Sequence, residues 1–299
     1  MQIEKVVAEF LFHLKVEKAA SPLTLKAYRG DLKHLVSLCQ TEGLTSIDQV
    51  TTAHLRRLLM QRQATHAYAP NTVGRFVNAY RSFFRFCLEQ EYITKNPMLP
   101  IKPPKRTTPV PVYMTPAEVK RLLTAAERKK GRGWMRDRTA IELLLMTGVR
   151  RSELISLNWD DVDFGAGTIT VRKAKGRKQR VIPMHPVLRE HLWEYLQTRL
   201  PLGEERAIVV GLEGHRIETN ALNRLFRRNL RLAGLEGKGL TLHKCRHTFA
   251  TLVLNSGTPV NLFQLQELLG HADPKSTSVY AHVDTRQLGD LVAAVRFAG

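Results

Sequence analysis

Cysteine is scarce in this chain: three in 299 residues, Cys39, Cys87 and Cys245, an odd number with no two close in sequence. That excludes a disulfide framework and a cysteine-based zinc site, and it points to a reducing compartment. Long apolar runs are missing as well. None approaches the roughly 18 to 20 residues that a membrane-spanning helix needs, and MQIEKVVAEF at the N-terminus lacks the charged-then-apolar order of a secretion signal. The expectation is a cytoplasmic protein with no membrane partner. Internal repeats and low-complexity segments are also lacking.

Acidic residues are the other shortage, 27 Asp and Glu against 46 Lys and Arg, which leaves a net charge of +19. A surplus of that sign suits a polyanionic partner, because each phosphate neutralised by a basic residue releases condensed counterions. Nucleic acid fits better than an anionic membrane surface, since the basic residues are scattered rather than gathered on one amphipathic anchor. What is present is an ordinary soluble composition, 43% hydrophobic and 24% charged, and enough chain for two domains with separate cores.

Six of the fourteen prolines fall between Pro97 and Pro111, in NPMLPIKPPKRTTPVPVY. Missing amide donors and fixed φ angles rule out a long helix there, so residues 97–113 read as a linker between a domain over 1–96 and a second over 114–299. Helical periodicity dominates the first. Val6, Phe10 and Leu14 mark one helix; Ser21 caps a second that carries Leu25, Tyr28, Leu32 and Leu35; a third runs near Thr52 to Gln63. A fourth has Asn71 as its expected cap and Val73, Phe76, Val77, Tyr80, Phe83 and Phe84 as its apolar stripe. Lys26, Arg29, Arg75, Arg81 and Arg85 lie off these stripes, available to phosphates. The second domain opens with Thr115, Pro116 and Glu118 in helix-start positions and continues helical. One β feature interrupts it, with alternating runs Thr168 to Arg172 and Gln179 to Ile182 around a basic turn at Gly176.

Four places in the second domain hold residues suited to a phosphodiester. In TGVRRSEL, Arg150 sits at a helix junction, where a guanidinium can grip two phosphate oxygens or simply face solvent. In KAKGRKQR, a glycine-containing turn can lower Lys175 into a groove to protonate a departing oxygen, or it can touch DNA without chemistry, as Lys178 would. In LTLHKCRHTFAT, His243 and Arg246 share a helical face. His243 and His247 also have the spacing of a zinc pair, but Lys244 and Arg246 crowd the site and no acidic third ligand stands beside it. In LGHADPKSTSVYAHV, His271 ends an apolar helix and Tyr280 follows an Asp-Pro turn. A tyrosine there often only packs its ring, yet cationic neighbours and a base can turn a phenol with pKa near 10 into a nucleophile.

In order, these blocks spell Arg150, Lys175, His243, Arg246, His271 and Tyr280, and the sequence closely resembles the tyrosine recombinase (phage integrase) family, most of all its Xer branch. SPLTLKAYRGDL and APNTVGRFVNAYRSFFRFCLEQEYITKNP resemble that branch's core-binding domain, so the likeness spans nearly the whole chain. It implies a mainly α protein with a small β-sheet, an all-α SAM-like domain followed by an α+β catalytic domain. It implies that Tyr280 attacks a phosphodiester of double-stranded DNA to form a 3′-phosphotyrosyl link. Arg150 and Arg246 would stabilise the pentavalent phosphate, Lys175 would serve as general acid, His243 would assist proton transfer, His271 would bond the phosphate, and Glu153 would orient the site. Neither metal nor ATP nor any other cofactor is implied. The resemblance further implies a homotetramer, or a heterotetramer with a second recombinase, at a recombination site, with helix 285–297 docking in trans and a DNA translocase as a regulator. The Xer role is resolution of chromosome or plasmid dimers, in chromosome segregation and cell division. A phage- or element-encoded integrase has the same chemistry, and a non-catalytic DNA-binding protein is the reading from another class. Ala174, where the family often has glycine, and Arg151, where an apolar residue is common, are the small departures.

Overall fold

Four helices build the first unit: α1 (Ile3–Val16), α2 (Pro22–Thr41), α3 (Thr52–His66) and α4 (Pro70–Glu89). The hydroxyl of Ser21 accepts from the Thr24 amide at 3.1 Å, and Pro22 takes the first turn of α2, where no amide donor is needed. The start of α4 differs from the Asn71 expectation: Ala69 is the cap and Pro70 the first helical residue, because the fixed φ of proline pre-organises that turn. Val6, Phe10 and Leu14 meet Leu32, Leu35, Phe76, Tyr80, Phe83 and Phe84 in one aromatic-rich core. Phe10 and Phe83 pack edge to face at 5.4 Å. Met98 and Ile101 are buried in the same core. The first part of the proline-rich stretch therefore folds onto this unit instead of standing free as linker.

The computed structural model describes residues 1–105, 112–128, 133–172, 179–199, 204–256, 262–270, 293 and 295, and the chain divides into units over 1–109 and 110–299. The second unit contains α5 (Pro116–Arg128), α6 (Trp134–Thr147), α7 (Arg151–Ser156), α8 (Pro186–Thr198), α9 (Thr219–Leu232), α10 (Leu242–Leu254) and α11 (Leu262–Leu269). A reciprocal capping box starts α5: the Thr115 hydroxyl accepts from the Glu118 amide at 3.3 Å, and the Glu118 carboxylate accepts from the Thr115 amide at 2.9 Å. From Thr139 to Thr147 every residue of α6 is buried, and α5, α8 and α10 pack around it. The β feature is an antiparallel sheet of β1 (Val162–Asp163), β2 (Thr168–Val171) and β3 (Arg180–Pro183), in that order. Ile169 pairs with Ile182 across the β2–β3 ladder, and both are fully buried. Among the described residues no helix is long and apolar enough to cross a membrane.

Candidate active site

The site grows from the place where α6 stops. Gly148 ends it in the left-handed region, at φ +62°, and a Cβ there would lie 2.5 Å from Phe249 Cδ1 and 3.0 Å from Leu269 Cδ2. Only glycine makes this turn while α10 and α11 stay in contact with it. Gly148→Ala is expected to cost roughly 1–2 kcal/mol for the left-handed backbone and roughly 1–3 kcal/mol for overpacking. Thermal denaturation should show the melting temperature falling by at least about 4 °C, and an unchanged value would contradict this account of the turn.

The turn delivers Arg150 to the N-cap of α7. Its amide donates to Glu153 Oε2 at 2.8 Å, its Nη1 to Glu153 Oε1 at 2.8 Å, and its Nη2 to the Gly270 carbonyl at 3.2 Å. Arg246 reaches the same place from α10. It is 4% exposed, and it donates Nη1 to the Gly148 carbonyl at 2.8 Å and Nη2 to the Leu269 carbonyl. The two guanidinium groups thus end on adjacent carbonyls at the C-terminus of α11, where a helix leaves its last acceptors without intrahelical donors. Burial, followed by the charges of Arg150 and Arg180, brings the pKa of Arg246 down to about 10. It stays charged at neutral pH. Each of the two arginines commits two of its five N–H groups to these bonds, so both keep donors for an oxyanion.

His243 stands one helical turn before Arg246 on α10. Burial, then the charges of Arg246, Lys244 and Arg150, lower its pKa below the usual histidine value. The shift favours the neutral ring, which is able to accept a proton. His247 meets it edge to face, ring centroids 4.9 Å apart, and no group of three His, Cys, Asp or Glu side chains suited to a metal forms among the described residues.

Glu153 anchors this cluster together with a residue that the sequence motifs did not single out, Arg180 of β3, whose Nη1 and Nη2 donate to its two oxygens at 3.0 and 2.8 Å. Burial is the largest influence on the Glu153 carboxyl and pushes its pKa up. Hydrogen bonds from Arg180 and the Arg150 amide, with the charge of Arg180, outweigh it and bring the pKa down to about 2. A depressed carboxyl stabilises the fold above its unfolded pKa, and that contribution is lost as pH falls from about 4.5 towards about 2. In denaturant titrations, Glu153→Gln is expected to lose less stability than wild type across that window. Equal losses would show that Glu153 is not paired this way.

The proposed DNA contacts divide in two. Lys26 and Arg29 are exposed on α2. Arg75 instead pairs with the buried carboxylate of Asp31 and lies 4.6 Å from the ring of Phe76, while Arg81 donates to the Ile101 carbonyl. Asp31 is desolvated and needs a counter-charge, which is why Arg75 bends back despite being half exposed. Lys175, Lys178, His271 and Tyr280 lie outside the described residues.

Arg150, Arg246 and His243 gather at a helix junction on a mainly helical scaffold, an arrangement able to grip an oxyanion. Residues 112–287 match the Phage integrase family and residues 7–91 match the Phage integrase, N-terminal SAM-like domain. The chain belongs to the phage integrase family. Among its relatives, tyrosine recombinase XerD of Staphylococcus saprophyticus is 32% identical over 290 residues, covering 96% of each chain. Tyrosine recombinase XerC of Oceanobacillus iheyensis is 34% identical over 288 residues, 94% of this chain and 92% of that one. A lambda integrase dimer bound to a COC′ core site shares the fold, with a TM-score of 0.74 at 20% identity over 95% of this chain and 99% of that one.

Proposed function

We propose that this protein is a site-specific tyrosine recombinase of the Xer type, which cuts and rejoins DNA strands through a 3′-phosphotyrosyl intermediate formed on Tyr280. The observation that carries the reading is the convergence of Arg150 and Arg246, distant in sequence, on adjacent carbonyls of Leu269 and Gly270, with donors left over for a phosphate. Pre-placed donors of this kind act on charge that develops at the non-bridging oxygens as the phosphorus becomes pentavalent. His243, on the same helical face as Arg246, is suited to take the proton of the attacking phenol. Lys175 protonates the leaving 5′-oxygen, and His271 hydrogen-bonds the phosphate. The freed 5′-hydroxyl of a partner strand then attacks the phosphotyrosine, and because that bond stores the energy, the cycle needs neither ATP nor metal.

Relatives at 32% and 34% identity carry Xer names, which favours resolution of chromosome or plasmid dimers over the integrase role. The working form is a tetramer on a recombination site, with identical protomers or a second recombinase, under a DNA translocase, in the cytoplasm. Val295, on the tail segment proposed to dock in trans, is 2% exposed within this unit's own core. Docking in trans would exchange that seat between protomers.

The test is incubation with a nicked duplex carrying a site found by footprinting, in EDTA. A covalent protein–DNA adduct that survives denaturation is the expected result. Binding without any adduct would leave the DNA-binding reading, and a requirement for added metal would overturn the metal-free cycle.

A further inference from the structure

We propose that Arg180 is a positioning residue of this site: it locks Glu153 with a two-pronged contact, caps the end of α11, and thereby fixes Arg150 where the phosphate is held. The proposal rests on the recombinase reading.

Arg180 is the first residue of β3 and is 7% exposed. All three of its guanidinium nitrogens are engaged, Nη1 and Nη2 on Glu153 and Nε on the Leu268 carbonyl at 2.9 Å. Three of its five N–H groups are spent on protein acceptors, which ties this side chain into the scaffold around the site. What it holds is the residue that holds Arg150. Glu153 Oε1 accepts from Nη1 of both arginines, and Oε2 accepts from Arg180 Nη2 and the Arg150 amide. Removing Arg180 frees one side of this carboxylate to rotate, and the side chain of Arg150 goes with it.

The end of α11 supplies a second, independent link. Leu268, Leu269 and Gly270 are consecutive, and their carbonyls accept from Arg180, Arg246 and Arg150 respectively. Each arginine of the cluster therefore has its own acceptor, and Arg180 fixes the first of the row. Gly270 is at φ +62°, and a Cβ there would lie 2.9 Å from Arg180 Cδ and Nη1. The backbone passes this close to the guanidinium one residue before His271. In sequence, Arg180 also closes the turn that carries Lys175. One buried side chain thus ties the strand leaving that turn to α7 and to the end of α11.

The competing account is a buried ion pair that only stabilises the fold. Wild type, Arg180→Gln, Arg180→Lys, Glu153→Gln and the double variant Arg180→Gln/Glu153→Gln are compared as full chains on the footprinted nicked duplex, with melting curves for each. Arg180→Gln is expected to slow adduct formation about 10- to 100-fold with the DNA dissociation constant changed less than about threefold. Arg180→Lys keeps the charge but not the fork, and stays at least about 10-fold slow. The double variant is no slower than the worse single one, because the two residues act as one unit. Arg180→Gln also falls off more steeply than wild type on the acid side, as Glu153 loses the partner that keeps it ionised. Additive losses, parallel losses of binding and rate, or an undiminished rate in a folded variant would overturn the role. Should Arg180→Gln fail to fold, Arg180→Lys decides alone, and a wild-type rate in it refutes the proposal. No adduct from wild type would instead overturn the recombinase reading.

Discussion

Tyr280→Phe is expected to abolish the covalent protein–DNA adduct and leave the DNA dissociation constant within about twofold of wild type. Phenylalanine keeps the ring and removes only the oxygen that would bond to phosphorus, so binding and chemistry separate cleanly. The chain's other strong nucleophiles offer no substitute. Cys39, Cys87 and Cys245 are all buried; burial raises the thiol of Cys39 to about 11 and that of Cys87 to about 12, and pushes Cys245 further in the same direction. None supplies thiolate at neutral pH. An adduct that persisted in Tyr280→Phe would place the nucleophile elsewhere and remove the role proposed for this residue.

Much of the architecture is legible because its signals are local. The Ser21 cap, the Thr115–Glu118 box and the apolar stripes of α1, α2 and α4 all follow from residues within a few positions of one another. Gly148 ends α6, and its neighbours TGVRRSEL mark the junction that carries Arg150. Arg180 escaped for the opposite reason. Period-2 alternation puts it on the same face as buried Ile182, yet beside the basic turn KAKGRKQR it reads as one more solvated charge. What buries it is the carboxylate of Glu153, far upstream, and no local pattern announces a long-range ion pair. The same blindness applies to Arg75, whose partner Asp31 lies one helix pair away. A polar residue with helical spacing off the apolar stripe looks exposed until its counter-charge is found. Two-residue β1 has too few positions to show alternation, and it is recognised only through its pairing with β2.

Arg246→Gln is expected to slow adduct formation about 10²- to 10³-fold while DNA affinity changes by less than about threefold. The separation follows from how the guanidinium acts. Arg246 is one charge in a net +19, so its loss changes little of the field that attracts DNA, while in the proposed role its unspent N–H groups act on the charge that develops on the phosphate. Stability is the competing effect. Glutamine's amide cannot span both the Gly148 and Leu269 carbonyls, and one buried acceptor left unpaired costs about 1–3 kcal/mol. Against a typical stability of about 5–15 kcal/mol the variant remains folded, so the rate loss is read on native protein. Parallel losses of binding and rate would mean that Arg246 serves affinity instead of the transition state. Arg246→Lys sharpens the assignment. The burial and neighbouring charges that lower Arg246 to about 10 would act on a lysine that starts from a lower pKa, moving its ammonium towards neutrality. Lowering pH through that range restores the cation, so the lysine variant is expected to regain rate as pH falls from about 8.5 to about 7. Glutamine has no charge to regain, and a gain of the same size in Arg246→Gln would show that the pH effect comes from another group.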